Sequence, residues 1–303
     1  MDHGKLSNPR QVCSVSHYCM QDGPMQGMHI TDCVNGKLRF LLNDGKALDI
    51  MQVYFEGENL SFISKNGFMA RELPFGKRFE GGMLYTCGLD GVGGVEGVEV
   101  HGSLHSTPAT VTRRECTDGG ILVEGYIRDS ALFGKNLVLK RSFFSPYGSA
   151  SIQIRDTLIN EGEREEDFAL LYHINLGYPL LDEGGRIEVN VGEVTPRNAF
   201  AAQHLAAWKQ IGAPKKDFEE ACYYLSMNEG RIAYLNERTG KRLTLTYDKE
   251  AMPRFVVWKS ECCGDYALGL EPATTELDER FAYRSIKPGE RISFDATIKM
   301  DRI

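Results

Sequence analysis

Three polar side chains interrupt apolar, strand-like sequence at positions far apart in the chain. His173 lies within ALLYHINLGYPLL, Glu271 closes the run YALGLE, and His101 follows the run VEV. An imidazole and a carboxyl group can exchange protons with a ligand near neutral pH. A single histidine on a sheet usually makes a structural hydrogen bond, but three buried polar groups are less costly when they meet in one pocket. We therefore expect His101, His173 and Glu271 to converge on a pocket.

The alternation of faces along a strand orients the side chains around His173. Residues two apart lie on the same face, so Asn175 shares a face with His173. Asn175 is therefore predicted to hold a ligand hydroxyl beside the imidazole. His105, four residues after His101, is a further candidate for ligand binding, and its position before Pro108 also fits a turn-capping role.

The elements that must position these residues have the pattern of strands and tight turns. Turn residues at 43–45, 146–148 and 239–240 each separate two strand-like runs, and each pattern predicts a β-hairpin. The last run, RISFDATIKM, alternates apolar and polar residues. That alternation predicts a half-buried antiparallel strand near the end of the chain.

Helical signals are few. PRNAFAAQHLAAWKQ, at 196–210, has a proline suited to the first helical turn and several alanines, so it predicts a helix. Strands and helices do not alternate, which argues against a parallel α/β sheet. We predict one all-β domain over residues 1–303, an antiparallel sandwich of roughly twelve to eighteen strands with a few short helices. Residues 1–34 are expected to form an N-terminal extension that packs on it.

The composition limits the classes of partner. The chain has 303 residues, of which 42% are hydrophobic and 25% charged, with a formal net charge of −7. An acidic surface does not favour nucleic acid or an anionic membrane, and no apolar run reaches the roughly 18 residues of a membrane helix. No secretory signal is visible, so we expect a cytoplasmic protein whose eight cysteines are reduced. Their spacing fits no common metal-ligand pattern, so no metal site is expected.

Longer stretches of the chain resemble a known family. FEGGMLYTCGLDGVGG at 79–94, VHGSLHSTPA at 100–109, LLYHINLGYPLL at 170–181 and GLEPAT at 269–274 are similar to the galactose mutarotase (aldose 1-epimerase) superfamily. Within it, the chain looks most like a bacterial aldose 1-epimerase-like branch, the type called domain of unknown function 4432. The resemblance spans roughly residues 35–302. It implies a twisted antiparallel supersandwich with a sugar cleft on a concave face.

The resemblance also implies roles for the polar residues. Glu271 would take the proton from the anomeric hydroxyl of a sugar, and His173 would give a proton to the ring oxygen. His101 would bind sugar hydroxyls, and an upstream arginine, Arg78 or Arg71, would assist. Removal of one proton and delivery of another opens a hemiacetal ring without a metal or an organic cofactor. A positioned acid–base pair typically contributes about 10² to 10⁴ in rate.

The sequence departs from the family pattern around the site. Mutarotases of the superfamily carry an aromatic run after the histidine, where this chain has NLGYP. Their substrate-holding aspartate has no clear counterpart here, and Asp90 is one candidate. Trp208, close to the end of the predicted helix, is a candidate platform for the apolar face of a sugar, whereas Trp258 in FVVWKS is expected to pack in the core.

These observations predict a cofactor-free aldose 1-epimerase-like isomerase. Its partner would be a small-molecule carbohydrate, and the chain would be a monomer or a homodimer. Two alternatives use the same cleft: a carbohydrate-binding or sensing protein without turnover, and a related sugar isomerase. A β-sandwich with no sugar role would leave the three polar interruptions unexplained.

Overall fold

The computed structural model describes residues 4–303 as two packed antiparallel sheets. The smaller sheet has five strands, which pair with one another in chain order. Its strands are β1 (Ser14–Cys19), β2 (His29–Val34), β3 (Leu38–Asn43), β4 (Asp49–Phe55) and β5 (Glu58–Asn59).

The larger sheet has thirteen strands and carries the predicted catalytic residues. Its strands are β6 (Tyr85–Leu89), β7 (Ala109–Cys116), β8 (Gly120–Ser130), β9 (Asn136–Pro146), β10 (Ser151–Asn160), β11 (Glu166–Gly177), β12 (Arg186–Pro196), β13 (Ala221–Asn236), β14 (Lys241–Tyr247), β15 (Arg254–Cys262), β16 (Asp265–Ala273), β17 (Arg284–Ile286) and β18 (Arg291–Arg302). The helices are α1 (Phe75–Arg78) and α2 (Ala199–Gln203), with 3-10 turns at Pro9–Gln11, Leu104–Ser106, Leu205–Ala207 and Asp278–Arg280.

The order of strands in the larger sheet brings distant parts of the chain together. It runs β17-β11-β16-β15-β13-β14-β18-β10-β9-β8-β7, with β12 paired to β13 and β6 paired to β11. Strand β11 therefore lies between elements that are about a hundred residues away on either side in sequence, β6 and β16. The prediction of an all-β antiparallel sandwich with a few short helices is confirmed, and its eighteen strands fall within the predicted range.

The three predicted hairpins are confirmed. The turns at 43–45, 146–148 and 239–240 join β3 to β4, β9 to β10 and β13 to β14, and each pair is antiparallel. The alternation of RISFDATIKM is also confirmed. In β18 the buried positions are Phe294, Ala296, Ile298 and Met300.

The predicted helix over 196–210 is wrong in its extent. Pro196 is the last residue of β12, where it pairs with Tyr223 of β13. Asn198 then caps α2, because its side chain accepts a hydrogen bond from the Ala201 backbone N–H. The helix ends after one turn at Gln203, and a 3-10 turn follows. The alanines favour helix, but the strand pairing of Pro196 delays its start.

The N-terminal residues take part in the smaller sheet. The region predicted as an extension over 1–34 contributes β1 and β2, and β2 pairs with β3. Residues 1–3 lie outside the described part of the chain. The organisation of residues 1–303 as one domain stays a prediction. Between residues 4 and 303, no helix combines the length and the apolar character needed to cross a bilayer.

A buried network of charged side chains ties the two sheets together. Arg141 of β9 is 1% exposed. Its guanidinium donates to Asp156 of β10 at 2.7 Å and to Asp49 of β4 at 2.6 Å. Asp49 also accepts a hydrogen bond from the Thr86 backbone N–H of β6 at 2.7 Å. One cation of the larger sheet is thereby bound to a carboxylate of the smaller sheet.

The same network reaches the strand that carries His173. The Tyr172 hydroxyl of β11 donates to Asp156 at 2.7 Å. Tyr172 packs in the main core between the sheets, whereas its neighbour Leu171 belongs to a second apolar cluster on the other side of the strand. Because successive side chains point to opposite faces, the anchoring of Tyr172 on one face directs His173 to the other.

Replacement of Arg141 by methionine should destabilise the fold strongly. The change leaves Asp49 and Asp156 without their shared cation, and loss of one partner of a buried ion pair typically costs about 3 to 5 kcal/mol. Arg155→Met is the matched control, because Arg155 pairs with Asp295 on the exposed surface and such pairs contribute about 0 to 1 kcal/mol. Urea unfolding measures both. Equal losses in the two variants would contradict a structural role for the network.

Candidate active site

A cavity of about 200 Å³ lies beside β11, β15 and β16. It is lined by all three residues that were predicted to converge, His101, His173 and Glu271. Aromatic rings form part of its wall, and charged side chains stand at its edge. The other lining residues with which the site is built are Phe75, Phe79, Arg197, Glu220 and Trp258.

The register of β11 against β16 brings the histidine and the glutamate together. Leu171 pairs with Ala273 and Ile174 pairs with Leu270, so His173 lies across from Glu271 on the neighbouring strand. Cross-strand neighbours of this kind are close enough for their side chains to interact. The His173 Nε2 atom is 3.2 Å from the Glu271 Oε1 atom.

A glycine makes room for this pair. Gly269 lies between Asn175 and Trp258 in the sheet, two residues before Glu271. A Cβ atom at position 269 would be 2.3 Å from Glu271 Oε1 and 3.1 Å from His173 Cε1. Both distances are shorter than ordinary van der Waals contact, so any larger residue would displace the carboxyl group.

Burial favours the uncharged form of both members of the pair. It raises the pKa of Glu271 well above the usual 4.5, and the nearby Glu220 adds to the rise. Burial also lowers the pKa of His173 to about 3, with His101 adding to the fall. The imidazole is therefore neutral at neutral pH, and the protonated form of the carboxyl is favoured. Such a pair contains one proton donor and one proton acceptor.

Part of the hydrogen-bonding capacity of the pair is unused. Glu271 Oε1 and His173 Nδ1 are buried and have no hydrogen-bond partner within residues 4–303. The Oε1 atom is close to His173 Nε2, but the two groups are not aligned for a hydrogen bond. Buried polar atoms without partners are uncommon in proteins, and a ligand with hydroxyl groups could supply the missing bonds.

His101 has a defined tautomer. Its Nδ1 accepts a hydrogen bond from the Gly93 backbone N–H at 3.2 Å, so the ring proton lies on Nε2. Burial and, to a smaller extent, the nearby guanidinium groups of Arg197 and Arg78 together lower its pKa to about 4. The ring centroid lies 5.7 Å from that of His173, and the two rings are nearly perpendicular. His101 is therefore a neutral hydrogen-bond donor beside the acid–base pair.

Two further side chains of the cavity are fixed by ion pairs and hydrogen bonds. Arg197 binds both carboxylate oxygens of Asp278 and lies 3.4 Å from Glu220. The indole N–H of Trp258 donates to the other oxygen of Glu220 at 2.9 Å. The Trp258 ring lies 5.3 Å from His173 and 6.3 Å from Phe79.

Sequence reasoning missed Arg197 and Glu220, and for Trp258 it favoured core packing over a place at the site. Arg197 falls in the segment predicted to be helical, and Trp258 was expected in the core because its strand is apolar. The signal that could have identified Trp258 is its cross-strand partner Gly269, which lies beside both His173 and Glu271. That partner is known only once the register is known.

Asn175 and Arg78 lie close to the cavity but do not line it. Asn175 is fully buried, and its amide donates to the backbone oxygen of His173 at 2.9 Å. Arg78 is buried as well, and it donates to the hydroxyl groups of Tyr85 and Ser106. Both side chains therefore support the wall of the cavity in this structure.

His105, Asp90, Arg71 and Trp208 do not line the cavity either. Asp90 accepts hydrogen bonds from the backbone and hydroxyl of Ser103, as a turn residue does. Arg71 is exposed. Trp208 is 8% exposed and packs in the core. The structure thus gives Trp258 the place beside the cavity that was expected for Trp208.

His105 belongs to the charged network between the sheets. Its Nδ1 lies 2.7 Å from Asp49, and its ring stacks on Tyr85 with centroids 3.7 Å apart. Burial alone would lower the pKa of His105, but the hydrogen bond to Asp49 and the nearby carboxylate of Glu80 outweigh it and raise the pKa. His105, which the sequence suggested as a ligand-binding residue, therefore interacts with buried carboxylates inside the protein instead.

Metal ligation finds no support in the side chains that the structure describes. From residue 4 onwards, His, Cys, Asp and Glu form no group of three or more that is suited to a metal ion. His101, His173 and Glu271 are instead arranged as a donor, an acceptor and an acid around one small cavity.

Three solved structures resemble the chain over nearly its whole length. A protein of Klebsiella pneumoniae subsp. pneumoniae, named as a candidate aldose 1-epimerase, has a TM-score of 0.84 and 21% identity, over 95% of this chain and 83% of its own. A galactose mutarotase-like protein of Clostridium acetobutylicum has a TM-score of 0.70 and 12% identity, over 97% of this chain and 100% of its own. A candidate mutarotase of Salmonella typhimurium has a TM-score of 0.68 and 10% identity, over 95% of this chain and 94% of its own. The fold is therefore the galactose mutarotase-like sandwich that the sequence resemblance implied.

A family sequence match covers most of the chain. Residues 25–299 match the family described as "Domain of unknown function (DUF4432)". No functionally curated protein matches the sequence. Since that description contains no activity, and a fold alone does not assign one, the chemistry has to be argued from the cavity.

Replacement of Glu271 by glutamine should stabilise the protein at neutral and alkaline pH. Because its pKa is raised in the folded state, the carboxyl contributes stability that is fully present below about 4.5, its pKa when unfolded, and is lost as pH rises toward the folded value. Glutamine cannot ionise. We expect the variant's advantage in unfolding free energy to grow by about 1.4 kcal/mol per pH unit above that point. Urea unfolding between pH 4 and 9 measures it, and an advantage that shrinks with rising pH would mean an ionised, paired carboxylate.

Proposed function

This chain belongs to the DUF4432 family, and we propose that it is a cofactor-free isomerase that interconverts the anomers of a sugar, an activity of the aldose 1-epimerase type. The observation that carries the proposal is the pairing of His173 with Glu271 at 3.2 Å, on the wall of a cavity that holds one sugar ring. The names of the structural neighbours point to the same chemistry.

Anomer exchange needs an acid and a base close together. The anomeric hydroxyl loses a proton, the bond from the anomeric carbon to the ring oxygen breaks, and the ring oxygen gains a proton. Both oxygens are bonded to the same carbon, so the groups that serve them must be neighbours. The Nε2 atom of His173 and the Oε1 atom of Glu271 meet this requirement.

The pair supplies both proton transfers with one proton of its own. In the reactive form Glu271 is a carboxylate and His173 is an imidazolium, which the resting pair reaches by moving its proton from oxygen to nitrogen. Glu271 then takes the proton of the anomeric hydroxyl, and His173 protonates the ring oxygen. The open-chain aldehyde thus faces a neutral pair, which is the form that burial favours. Reversal of both transfers on the other face of the carbonyl closes the opposite anomer.

The remaining cavity residues suit a sugar. His101 offers its Nε2–H as a donor to a hydroxyl. Trp258 and Phe79 offer apolar faces to the C–H groups of a pyranose ring. Arg197 is held in the wall by Asp278. The two side-chain transfers account for every proton in the reaction, so the chemistry requires no metal or organic cofactor.

A second candidate function is sugar binding without turnover. One observation favours it: burial raises the pKa of Glu271 and so disfavours the carboxylate form, which is the form that accepts the anomeric proton. The two functions differ in one measurement, since binding alone leaves the rate of anomer exchange unchanged.

Loss of either member of the pair should abolish most of the acceleration. We expect Glu271→Gln and His173→Gln each to lower the catalysed rate of anomer exchange by about 10² to 10⁴, the usual contribution of a positioned acid or base. Polarimetry and anomer-resolved NMR across a panel of aldoses measure the rate. Glu193→Gln and His29→Gln are the controls, because both residues are exposed and distant from the cavity. Full activity in Glu271→Gln would sink the assignment.

Gly269→Ala tests the positioning of the carboxyl group. The new methyl group would push Glu271 Oε1 away, and a misplacement of about 1 Å can cost roughly 10²-fold in rate. We expect kcat to fall while KM and the melting temperature change little. Gly192→Ala is the matched control, since Gly192 is also a strand glycine and an added Cβ there makes only ordinary contacts. Equal activity in the two variants would contradict the role of the glycine.

A further inference from the structure

A second, larger cavity adjoins the first. Its volume is about 460 Å³, against about 200 Å³ for the cavity of His173 and Glu271. We call them the outer and the inner cavity. The two cavities are adjacent, because four side chains line both: Phe75, Phe79, Glu220 and Trp258.

The outer cavity has the surface chemistry of a sugar site. Phe62 and Phe218 add two aromatic side chains to the shared ones, and Lys65, Asn66 and Asp265 add polar groups at the rim. Apolar walls with a few polar groups are typical of small-molecule sites. Trp258 is held at the boundary by its hydrogen bond to Glu220.

The charges of the two cavities favour an uncharged occupant. Lys65 forms an ion pair with Asp265 at 2.7 Å, and Arg197 binds Asp278 with two hydrogen bonds. Among the described lining residues, these are the cations of the two cavities, and each already has an acidic partner. A phosphate or carboxylate group would have to compete with those carboxylates and with Glu220.

The size of the inner cavity limits what can react there. Sites for drug-sized ligands usually measure about 300 to 1,000 Å³, and the inner cavity lies below that range. It accommodates one ring. For a ring whose anomeric carbon lies at His173 and Glu271, the neighbouring space of the outer cavity lies beyond Phe79 and Trp258, which line both cavities.

We propose that the outer cavity is a subsite for a second, neutral sugar unit, and that the substrate class is a reducing disaccharide. This inference rests on the proposed function. The reducing ring occupies the inner cavity, and the ring attached to it lies against Phe62, Phe218 and Trp258. Two glycines make the subsite testable, because a Cβ atom added at Gly76 in the outer cavity or at Gly94 in the inner cavity meets no atom within 4 Å.

The experiment compares glucose with lactose, maltose and melibiose, which all end in a reducing glucose ring. Anomer exchange is followed by NMR in the parent protein and in Gly76→Trp, Gly94→Trp and Gly76→Ala. We expect kcat/KM for at least one disaccharide to exceed that for glucose by about tenfold or more, the usual value of an added pocket contact. Gly76→Trp should remove this preference, Gly76→Ala should keep it, and Gly94→Trp should depress both kinds of substrate. Circular dichroism and melting curves verify the fold of each variant.

The outcomes separate the two proposals. The subsite is overturned, and the proposed activity stands, if glucose exchange is accelerated but no disaccharide is preferred. The same holds if a disaccharide preference survives Gly76→Trp. A higher kcat/KM for glucose 6-phosphate than for every neutral sugar also overturns it. If no sugar is accelerated but calorimetry detects disaccharide binding that Gly76→Trp removes, the activity fails and the subsite stands. If no sugar shows either accelerated exchange or binding, both proposals are overturned.

Discussion

The geometry of the site depends on the buried ion pairs that the guanidinium of Arg141 forms with two aspartates. This guanidinium joins Asp49 of the smaller sheet to Asp156 of the larger one, and Asp156 in turn binds the hydroxyl of Tyr172. Because Tyr172 is fixed on the core side of β11, the next residue, His173, is directed into the cavity. The charged network and the acid–base pair therefore occupy opposite faces of one strand, and the first gives the second a rigid support.

Burial has opposite consequences for two histidines of this chain. His173 faces a cavity with aromatic walls and no carboxylate aligned to receive its proton, so burial lowers its pKa. His105 is equally buried but has Asp49 and Glu80 beside it, and its pKa is raised. The same kind of side chain is thus a neutral proton acceptor in one place, and in the other its charged form is favoured. The identity of the neighbours decides which.

The shape of the cavities adds what the fold alone cannot supply. The galactose mutarotase-like sandwich is shared with proteins that are only 10 to 21% identical to this chain, so it says little about the substrate. In the proposed reaction the inner cavity holds the reacting ring, and the outer cavity beside it is lined by Phe62, Phe218 and Trp258. Each cation near the ligand space has a carboxylate partner, which leaves hydroxyl groups and C–H faces as the features that these walls can recognise.

Local sequence determined the strands, the hairpins and the residues that interrupt them. Alternation in β18 and the turn residues at 43–45 act over a few residues, and so does the interruption of β11 by His173. The tertiary structure decided which side chains meet. Trp258 rather than Trp208 lies beside the cavity, and Pro196 ends a strand instead of starting a helix, because their partners come from strands distant in sequence. Alternation tells which face a side chain occupies, but only the register between strands tells what lies opposite it.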